Sequence, residues 1–171
     1  MKTFIIGDTH FNHKNIIQLC NRPFPNINAM NEALIKNWNR VVGKGDIVYT
    51  LGDFALCNKE KIAYFLERLN GSKYLVKGNH DGYSIKTYMD LGFEKVYDKP
   101  IIYKDFYIFS HEPMFITNEM PYANCYAHVH NDPRYVDYSV NTFCASAERI
   151  GFTPIEIDKA IALMCSCEES S

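Results

Sequence analysis

The chain contains 171 residues, of which 47% are hydrophobic and 22% are charged, and its formal net charge is −2. This length and composition are typical of one globular domain whose core needs no disulfide bridges. The near-neutral charge does not resemble the strongly basic composition of a protein that grips nucleic acid without regard to sequence, and no apolar run approaches the length of a membrane span.

Apolar runs of strand length alternate with helical patterns in the first half of the chain, which predicts an α/β or α+β fold. One helix is predicted from Ile27 to Val41, because apolar residues recur there every three or four positions. A second helix is predicted from Ile62 to Leu69, with Gly71 as its C-terminal cap. Strands are predicted at residues 4–7, 47–51 and 74–76.

After Gly82, short β-like runs follow one another with tight connections, as in antiparallel hairpins. Lys104 and Asp105 are predicted to form a turn between two aromatic runs. A late strand should precede a short helix that is capped by Asp158. The predicted strands cover residues 95–97, 101–103, 107–109, 125–129, 135–140 and 155–157.

The C-terminal residues are rich in Ser and Glu, so we expect one domain over residues 1–164 and a flexible tail over residues 165–171. Six scattered cysteines and a start without a secretory signal favour reduced thiols and a cytoplasmic protein. Cys165 and Cys167 fit a frayed terminus, and a soft-metal site is the alternative interpretation.

Five clusters of polar residues follow five of the apolar runs, at the points where strands should end. Ligands gather beyond the carboxyl ends of strands in α/β proteins. A glycine before the polar residue allows a sharp turn and a close approach to a bound group. The clusters are Gly7-Asp8-Thr9-His10, Gly52-Asp53, Gly78-Asn79-His80-Asp81, Ser110-His111-Glu112-Pro113 and Ala127-His128-Val129-His130.

These clusters offer carboxylate, imidazole and amide donors, a set that suits two divalent cations in phosphate chemistry. One carboxylate must bridge the cations, because a bridging anion offsets their mutual repulsion. Asp8 and His10 are two residues apart, so on an extended chain both point the same way, and His128 and His130 repeat this spacing. The candidate metal ligands are Asp8, His10, Asp53, Asn79, His111, His128 and His130.

The order of these motifs resembles the calcineurin-like metallophosphoesterase family, in particular its small prokaryotic and viral members. The resemblance extends from Gly7 to His130, about three quarters of the chain. Each motif alone is a weak signal, but five in the family's order are specific. The resemblance implies a four-layer α/β sandwich of two mixed β-sheets flanked by helices.

The resemblance also implies a role for each matching residue. Asp8, His10 and His130 would bind one metal ion, whereas Asn79, His111 and His128 would bind the other. Asp53 would bridge the two ions, and a water shared by them would attack the phosphate. His80 would be the catalytic residue that protonates the leaving oxygen or stabilises phosphate charge.

The second motif departs from the family pattern, because Gly52-Asp53-Phe54-Ala55-Leu56 lacks the further carboxylate that orients the catalytic histidine in some members. Asp81 is a substitute in sequence, although adjacent residues seldom face each other. Asn12 and His13 are candidate substrate contacts or solvated loop residues. Arg22 is a candidate phosphate ligand or a surface arginine.

The predicted function is metal-dependent hydrolysis of phosphate esters, with phosphodiesters or nucleotide-type substrates favoured because no cap domain is evident. Phosphomonoesterase activity is the alternative reaction. A phosphoesterase-like scaffold that binds proteins is the alternative of another class. Mn²⁺ is the expected metal, with Fe, Zn, Ni or Mg as alternatives. Neither a membrane nor a long duplex is an expected partner, and the sequence indicates no oligomeric state.

Overall fold

The computed structural model describes residues 1–117, 119–135 and 141–166, and it contains two β-sheets and helices that pack against them. In chain order the elements are β1 (Thr3–Ile6), α1 (Ile16–Leu19), α2 (Ile27–Val41), β2 (Ile47–Thr50), α3 (Lys59–Arg68), β3 (Ser72–Val76), α4 (Ile85–Leu91), β4 (Lys95–Tyr97), β5 (Ile101–Tyr103), β6 (Tyr107–Phe109), β7 (Ala123–Tyr126), β8 (Thr142–Cys144), β9 (Ile155–Glu156) and α5 (Ile157–Ser166).

Both sheets are mixed. In the first, β1 to β4 are parallel and β9 is antiparallel to β1, in the order β4-β3-β2-β1-β9. In the second, β6, β7 and β8 are parallel and β5 is antiparallel to β6, in the order β5-β6-β7-β8. The predicted α/β class with two mixed sheets flanked by helices is therefore confirmed.

The apolar residues divide between two packing layers. One layer joins the outer face of the first sheet to the helices, where Met30, Leu34 and Trp38 of α2 form a buried stripe. The other layer lies between the sheets, where Ile5 of β1 and Phe109 of β6 are fully buried. Burial of these side chains from water is the main favourable contribution to folding.

Side-chain caps define where three of the helices begin. Asn26 accepts a hydrogen bond from the N–H of Ala29 at the start of α2, and Asn58 accepts one from the N–H of Lys61 at the start of α3. Ser84 caps α4 in the same way. Such caps satisfy backbone donors that the first helical turn leaves unpaired.

Several local predictions differ from the structure. The helices α1 and α4 and the strand β8 were not predicted, and the predicted strand at residues 135–140 lies outside the described residues except for its first position. Helix α3 ends at Arg68, so Gly71 instead lies in the turn before β3 with φ of +81°. Asp158 lies within the first turn of α5 because that helix begins at Ile157.

Helix α5 continues through Ser166, so residues 165 and 166 of the predicted tail are helical, and residues 167–171 lie outside the described part of the chain. Among the described helices, none combines the length and the apolar character that crossing a membrane requires. Four cysteines have free thiols in the described residues: Cys20, Cys57, Cys125 and Cys144.

Candidate metal centre

The five polar clusters follow β1, β2, β3, β6 and β7, in agreement with the prediction that each stands at a strand end. Because β1, β2 and β3 are parallel, their carboxyl ends meet at one edge of the first sheet. The parallel pair β6 and β7 adds two loops from the second sheet. The side chains of all five clusters therefore converge on one cleft.

The backbone of these loops is not extended, so the expectation that Asp8 and His10 point the same way along an extended chain is wrong. Both residues have positive φ angles, of 54° and 49°, and so do His128 and His130, at 69° and 49°. Residues two apart share a side only when the chain is extended. Here the left-handed residues curl the loops, at a cost of about 1–3 kcal/mol each, and the surrounding contacts must stabilise them.

Asp53 lies at the centre of the cluster. Its Oδ2 is 3.5 Å from Nε2 of His10 and 3.6 Å from Nε2 of His111. Its Oδ1 accepts a hydrogen bond of 2.9 Å from the backbone N–H of His80. One carboxylate thus faces histidines from two different loops, which is the geometry that a bridging ligand needs.

On one side of Asp53, Asp8, His10 and His130 bring ligand atoms within 4.8 Å of one another. Among the described residues, both carboxylate oxygens of Asp8 and Nε2 of His10 are buried without a hydrogen-bond partner. Burial raises the pKa of Asp8 to about 6 and lowers the pKa of His10, so that the imidazole is neutral. Buried polar atoms without partners are costly, and a cation would satisfy them.

On the other side of Asp53, three heteroatoms form a nearly equilateral triangle. Oδ1 of Asn79 lies 3.0 Å from Nε2 of His111 and 3.1 Å from Nδ1 of His128, and these two nitrogens are 3.0 Å apart. Ligands at neighbouring corners of an octahedron lie roughly 3 Å apart when each bond is about 2.1 Å long. The triangle therefore fits three ligands of one divalent cation.

The tautomer of His111 agrees with this fit. Its Nδ1 is 2.8 Å from the carbonyl oxygen of Leu51, which can only accept a hydrogen bond, so Nδ1 carries the proton. The lone pair on Nε2 is then free to face Asn79 and Asp53. With the unpartnered atoms of Asp8 and His10, this arrangement shows that the residues present fit a pair of divalent cations.

Asp81 connects the second and third motif loops and does not orient His80. Its carboxylate accepts hydrogen bonds from the N–H groups of Asp53 and Gly78, at 2.7 and 2.8 Å, and from the N–H of Phe54 at 3.2 Å. Asp81 therefore does not take the role of the carboxylate that the second motif lacks. His80 is about half exposed, and its Nε2 lies 4.0 Å from Oδ2 of Asp53.

Glycines allow these two loops to pack together. A Cβ at Gly78 would overlap Oδ1 of Asp53, and a Cβ at Gly52 would overlap Nδ1 of His111. Gly52 also has a φ of +83°, a conformation that side chains strongly disfavour. The glycines of the two motifs are therefore required by the close approach of the loops.

Arg22 does not contact the cleft, which corrects its prediction as a phosphate ligand. Its side chain is fully buried, and its guanidinium donates to the carbonyl oxygens of Asp8 and Thr9, at 2.6 and 2.9 Å. Two further N–H groups donate to Glu148, at 2.7 and 2.8 Å, and one faces the sulfur of Met30 at 3.5 Å. An arginine whose donors are occupied in the interior has none left for a substrate.

The other two predicted substrate contacts lie at the rim of the cleft. Nδ1 of His13 is 3.2 Å from Nδ1 of His10, and its ring centroid lies 6.4 Å from that of His80. Asn12 receives a hydrogen bond from Lys61 at 3.4 Å, and its own N–H donates to Asn31. His13 is thus beside the candidate catalytic histidine, whereas Asn12 mainly joins the first loop to α2 and α3.

Glu148 is a residue that the sequence patterns missed. Its Oε1 is 3.0 Å from Nδ1 of His130, and its side chain is only 5% exposed. Hydrogen bonds to Cys20 and Glu148 raise the pKa of His130 to about 10, although burial opposes the charged form. Glu148 stands 18 positions after His130 in a segment without any motif, so no local signal marked it.

The fold and the cluster together define an α/β sandwich of two mixed sheets with a two-sided set of candidate metal ligands. The family model for calcineurin-like phosphoesterases matches residues 1–154, and the chain belongs to this family. Membership implies divalent metal ions, which agrees with the candidate ligand groups described above.

The curated relatives are similar over part of their length. A segment of 87 residues is 56% identical to an uncharacterised protein of Methanocaldococcus jannaschii and covers 50% of this chain and 49% of that protein. A segment of 83 residues is 32% identical to the gene 66 protein of Mycobacterium phage L5, with 47% and 40% covered. The matches thus span about half of these relatives or less.

Two solved structures share the fold. A protein of unknown function from Aquifex aeolicus superposes with a TM-score of 0.74 and 28% identity, over 95% of this chain and 98% of its own. A nuclease of Pseudomonas putida superposes with a TM-score of 0.50 and 21% identity, over 75% and 61%. The second likeness shows a common fold alone.

Proposed function

We propose that the protein hydrolyses phosphodiesters, and nucleotide-type substrates in particular, with two divalent cations bound in the cleft. The observation that carries this proposal is the position of Asp53, whose Oδ2 lies 3.5 Å from Nε2 of His10 and 3.6 Å from Nε2 of His111. A carboxylate equidistant from two sets of donors supports a bridged pair of cations.

Each set of donors supports one cation. Asp8, His10 and His130 form the set on the buried side of Asp53, and Asn79, His111 and His128 form the set on the exposed side. When bound, the cation pair would supply Lewis acidity for the phosphate oxygens and lower the pKa of a water nucleophile. Mixed imidazole, amide and carboxylate donors suit Mn²⁺, Fe²⁺, Zn²⁺ or Ni²⁺ better than Ca²⁺, and of these we expect Mn²⁺ to support activity.

His80 is the proposed general acid. Its backbone is fixed by the hydrogen bond from its N–H to Asp53, and its ring is about half exposed at the mouth of the cleft. A ring in this position can reach the leaving oxygen of a substrate whose phosphate lies at the proposed cation site. His13, beside His80 and His10, is the proposed second contact to the substrate phosphate.

The open cleft supports diesters over monoesters. His80, Asn79 and His128 are all exposed, and no second domain covers them in the described part of the chain, which we propose is a single domain over residues 1–164. A diester carries an organic group on each side of its phosphate, so it needs such access. The nuclease that shares the fold supports testing nucleotide substrates.

The test is a substrate panel with protein that has been treated with chelator and then given Mn²⁺. The panel contains a bis-aryl phosphate, an aryl monophosphate, 2′,3′- and 3′,5′-cyclic nucleotides and short oligonucleotides, compared by kcat/KM. We expect Mn²⁺-dependent turnover with diesters ahead of the monoester. A faster monoester would overturn the diester preference, and no metal-dependent turnover of any member would overturn the proposed function.

A further inference from the structure

Glu148 lies beside His130, whose Nδ1 is 3.0 Å from Oε1 of Glu148 and 3.9 Å from Oδ2 of Asp8. Two backbone hydrogen bonds bring its segment to this position. The N–H of Gly7 donates to the carbonyl oxygen of Ala145 at 2.8 Å, and the N–H of Ala147 donates to the carbonyl oxygen of Gly7 at 3.0 Å. These bonds join the segment after β8 to the first motif loop. They place the Glu148 carboxylate in the interior, 3.0 Å from Nδ1 of His130.

Arg22 fixes the position of this carboxylate. Its Nε and Nη2 donate to Oε1 of Glu148 at 2.8 and 2.7 Å, and the same guanidinium donates to the carbonyl oxygens of Asp8 and Thr9. The Arg22 side chain is 0% exposed. A buried, planar guanidinium with fixed partners holds Glu148 and the left-handed turn at Asp8 in one rigid unit.

The other buried histidines of the cluster follow one rule: Nδ1 is occupied, and Nε2 faces Asp53. In His111, Nδ1 is 2.8 Å from the carbonyl oxygen of Leu51. In His10, Nδ1 is 3.2 Å from Nδ1 of His13, while Nε2 lies 3.5 Å from Asp53. A histidine ligand whose second nitrogen donates to a fixed acceptor is held in one tautomer and one orientation.

We propose that Glu148 is a positioning residue of the metal centre: it accepts the Nδ1–H of His130 and so fixes the tautomer and orientation of the ring, which leaves the lone pair of Nε2 for a cation. This inference rests on the proposed function, because it takes His130 to be a metal ligand. Arg22 acts one step further back, by holding Glu148. The sequence interpretation of Arg22 as a phosphate ligand is replaced by this supporting role.

A competing arrangement uses the same residues differently. Cys20, His130 and Glu148 also bring ligand atoms within 4.8 Å of one another, and Oε2 of Glu148 is a buried atom without a hydrogen-bond partner among the described residues. In that arrangement Glu148 would bind a cation directly together with the Cys20 thiolate. The positively charged Arg22 against Glu148 disfavours a further cation there.

The tautomer of His130 is the direct test. Protein with ¹⁵N-labelled histidine is loaded with diamagnetic Zn²⁺, its ring nitrogens are observed by long-range ¹H–¹⁵N correlation, and His130 is assigned from the spectrum of His130→Asn. We expect a protonated Nδ1 and a metal-bound Nε2. A metal-bound Nδ1 would overturn the proposal. So would the loss of a metal ion in Cys20→Ser together with a spectrum in which neither nitrogen of His130 is metal-bound.

Variants provide a second, independent test. Residues that hydrogen-bond to a metal ligand tune the affinity for the metal. Glu148→Ala should therefore lower the affinity for one of the two cations roughly 10- to 100-fold and leave the affinity for the other unchanged. Excess Mn²⁺ should then restore kcat. It would not restore kcat if the variant had only a structural defect. Glu148→Gln keeps an oxygen acceptor for His130, so its cation affinities should lie between those of Glu148→Ala and the unmodified protein. If Glu148→Ala fails to fold, the ¹⁵N measurement of the His130 tautomer tests the proposal.

The matched control is Glu32→Gln, which also removes a glutamate paired with an arginine. Glu32 contacts Arg68 at 2.6 and 2.7 Å on the exposed surface, far from any candidate ligand in sequence. Both cation affinities should be unchanged in this control. If Glu148→Ala binds both cations as tightly as the unmodified protein, the positioning role is overturned, whereas an unmodified protein without metal-dependent turnover would overturn the proposed function itself.

Discussion

The two halves of the candidate metal centre differ in how they are supported. The inner half consists of Asp8, His10 and His130, and the outer half consists of Asn79, His111 and His128. In the inner half, Asp8 and His10 are completely buried and Arg22 lies directly beneath them. In the outer half, Asn79 and His128 are exposed.

This difference separates two tasks that a cleft for phosphate esters must perform. Buried donors without competing water retain a cation, whereas exposed donors leave space for a substrate to arrive. Asp53 belongs to both halves, and His80 stands beside the outer half. The comparison therefore predicts that ion retention depends on the inner half and that turnover is limited by residues at the outer half.

Asp53→Ala should have the largest effect, because it removes the group shared by the two halves. Losing the bridging anion leaves the repulsion between the cations without compensation. We expect kcat/KM to fall at least roughly 1000-fold, since metal-ion stabilisation is worth several kcal/mol. Elemental analysis should find fewer than two ions per chain. An Asp53→Ala protein that keeps two ions and most of its activity would show that Asp53 does not bridge the two halves.

His80→Ala should affect chemistry without affecting the ions, because His80 is the exposed residue next to the outer half. Removal of a general acid costs about 100- to 10,000-fold in kcat. Metal content and KM should stay close to the unmodified values. The effect is measured by steady-state kinetics with a diester that has a poor leaving group. An unchanged kcat with that substrate would exclude His80 from the reaction.

Asp81→Ala should act on stability. The carboxylate accepts hydrogen bonds from Asp53, Phe54 and Gly78, and its loss leaves buried N–H groups unpaired. We expect the free energy of unfolding to drop by about 2–3 kcal/mol in a denaturant titration. Asp90→Ala, which breaks an exposed pair with Lys86, is the control and should change stability very little. Equal stability of both variants would show that the loops hold each other without Asp81.

Much of the centre could be predicted because its residues follow strands in order. Parallel strands bring their carboxyl ends together, so the loops after β1, β2 and β3 had to meet. The curl of the loops could not be predicted, because positive φ angles at Asp8 and His10 depend on contacts with the second loop. The N–H groups of these residues donate to Gly52 and Asp53 at 3.1 and 2.9 Å.

The supporting residues could not be predicted for a related reason. A buried Arg22 and an exposed one look alike in sequence, and only its packing against Glu148 distinguishes them. Those residues are 126 positions apart, so no local pattern links them. Asp81 was associated with His80 because they are adjacent, but its carboxylate turns towards the second loop. Short helix α4 escaped prediction because seven residues carry too little periodicity.

The measurement that tests the central claim most directly is a titration of chelator-treated protein with Mn²⁺, followed by both calorimetry and turnover of a bis-aryl phosphate. The account predicts two ions per chain, with turnover appearing only as the second ion binds, and neither effect in Asp53→Ala. Full turnover with one ion per chain, or binding of two ions that is unchanged in Asp53→Ala, would contradict it.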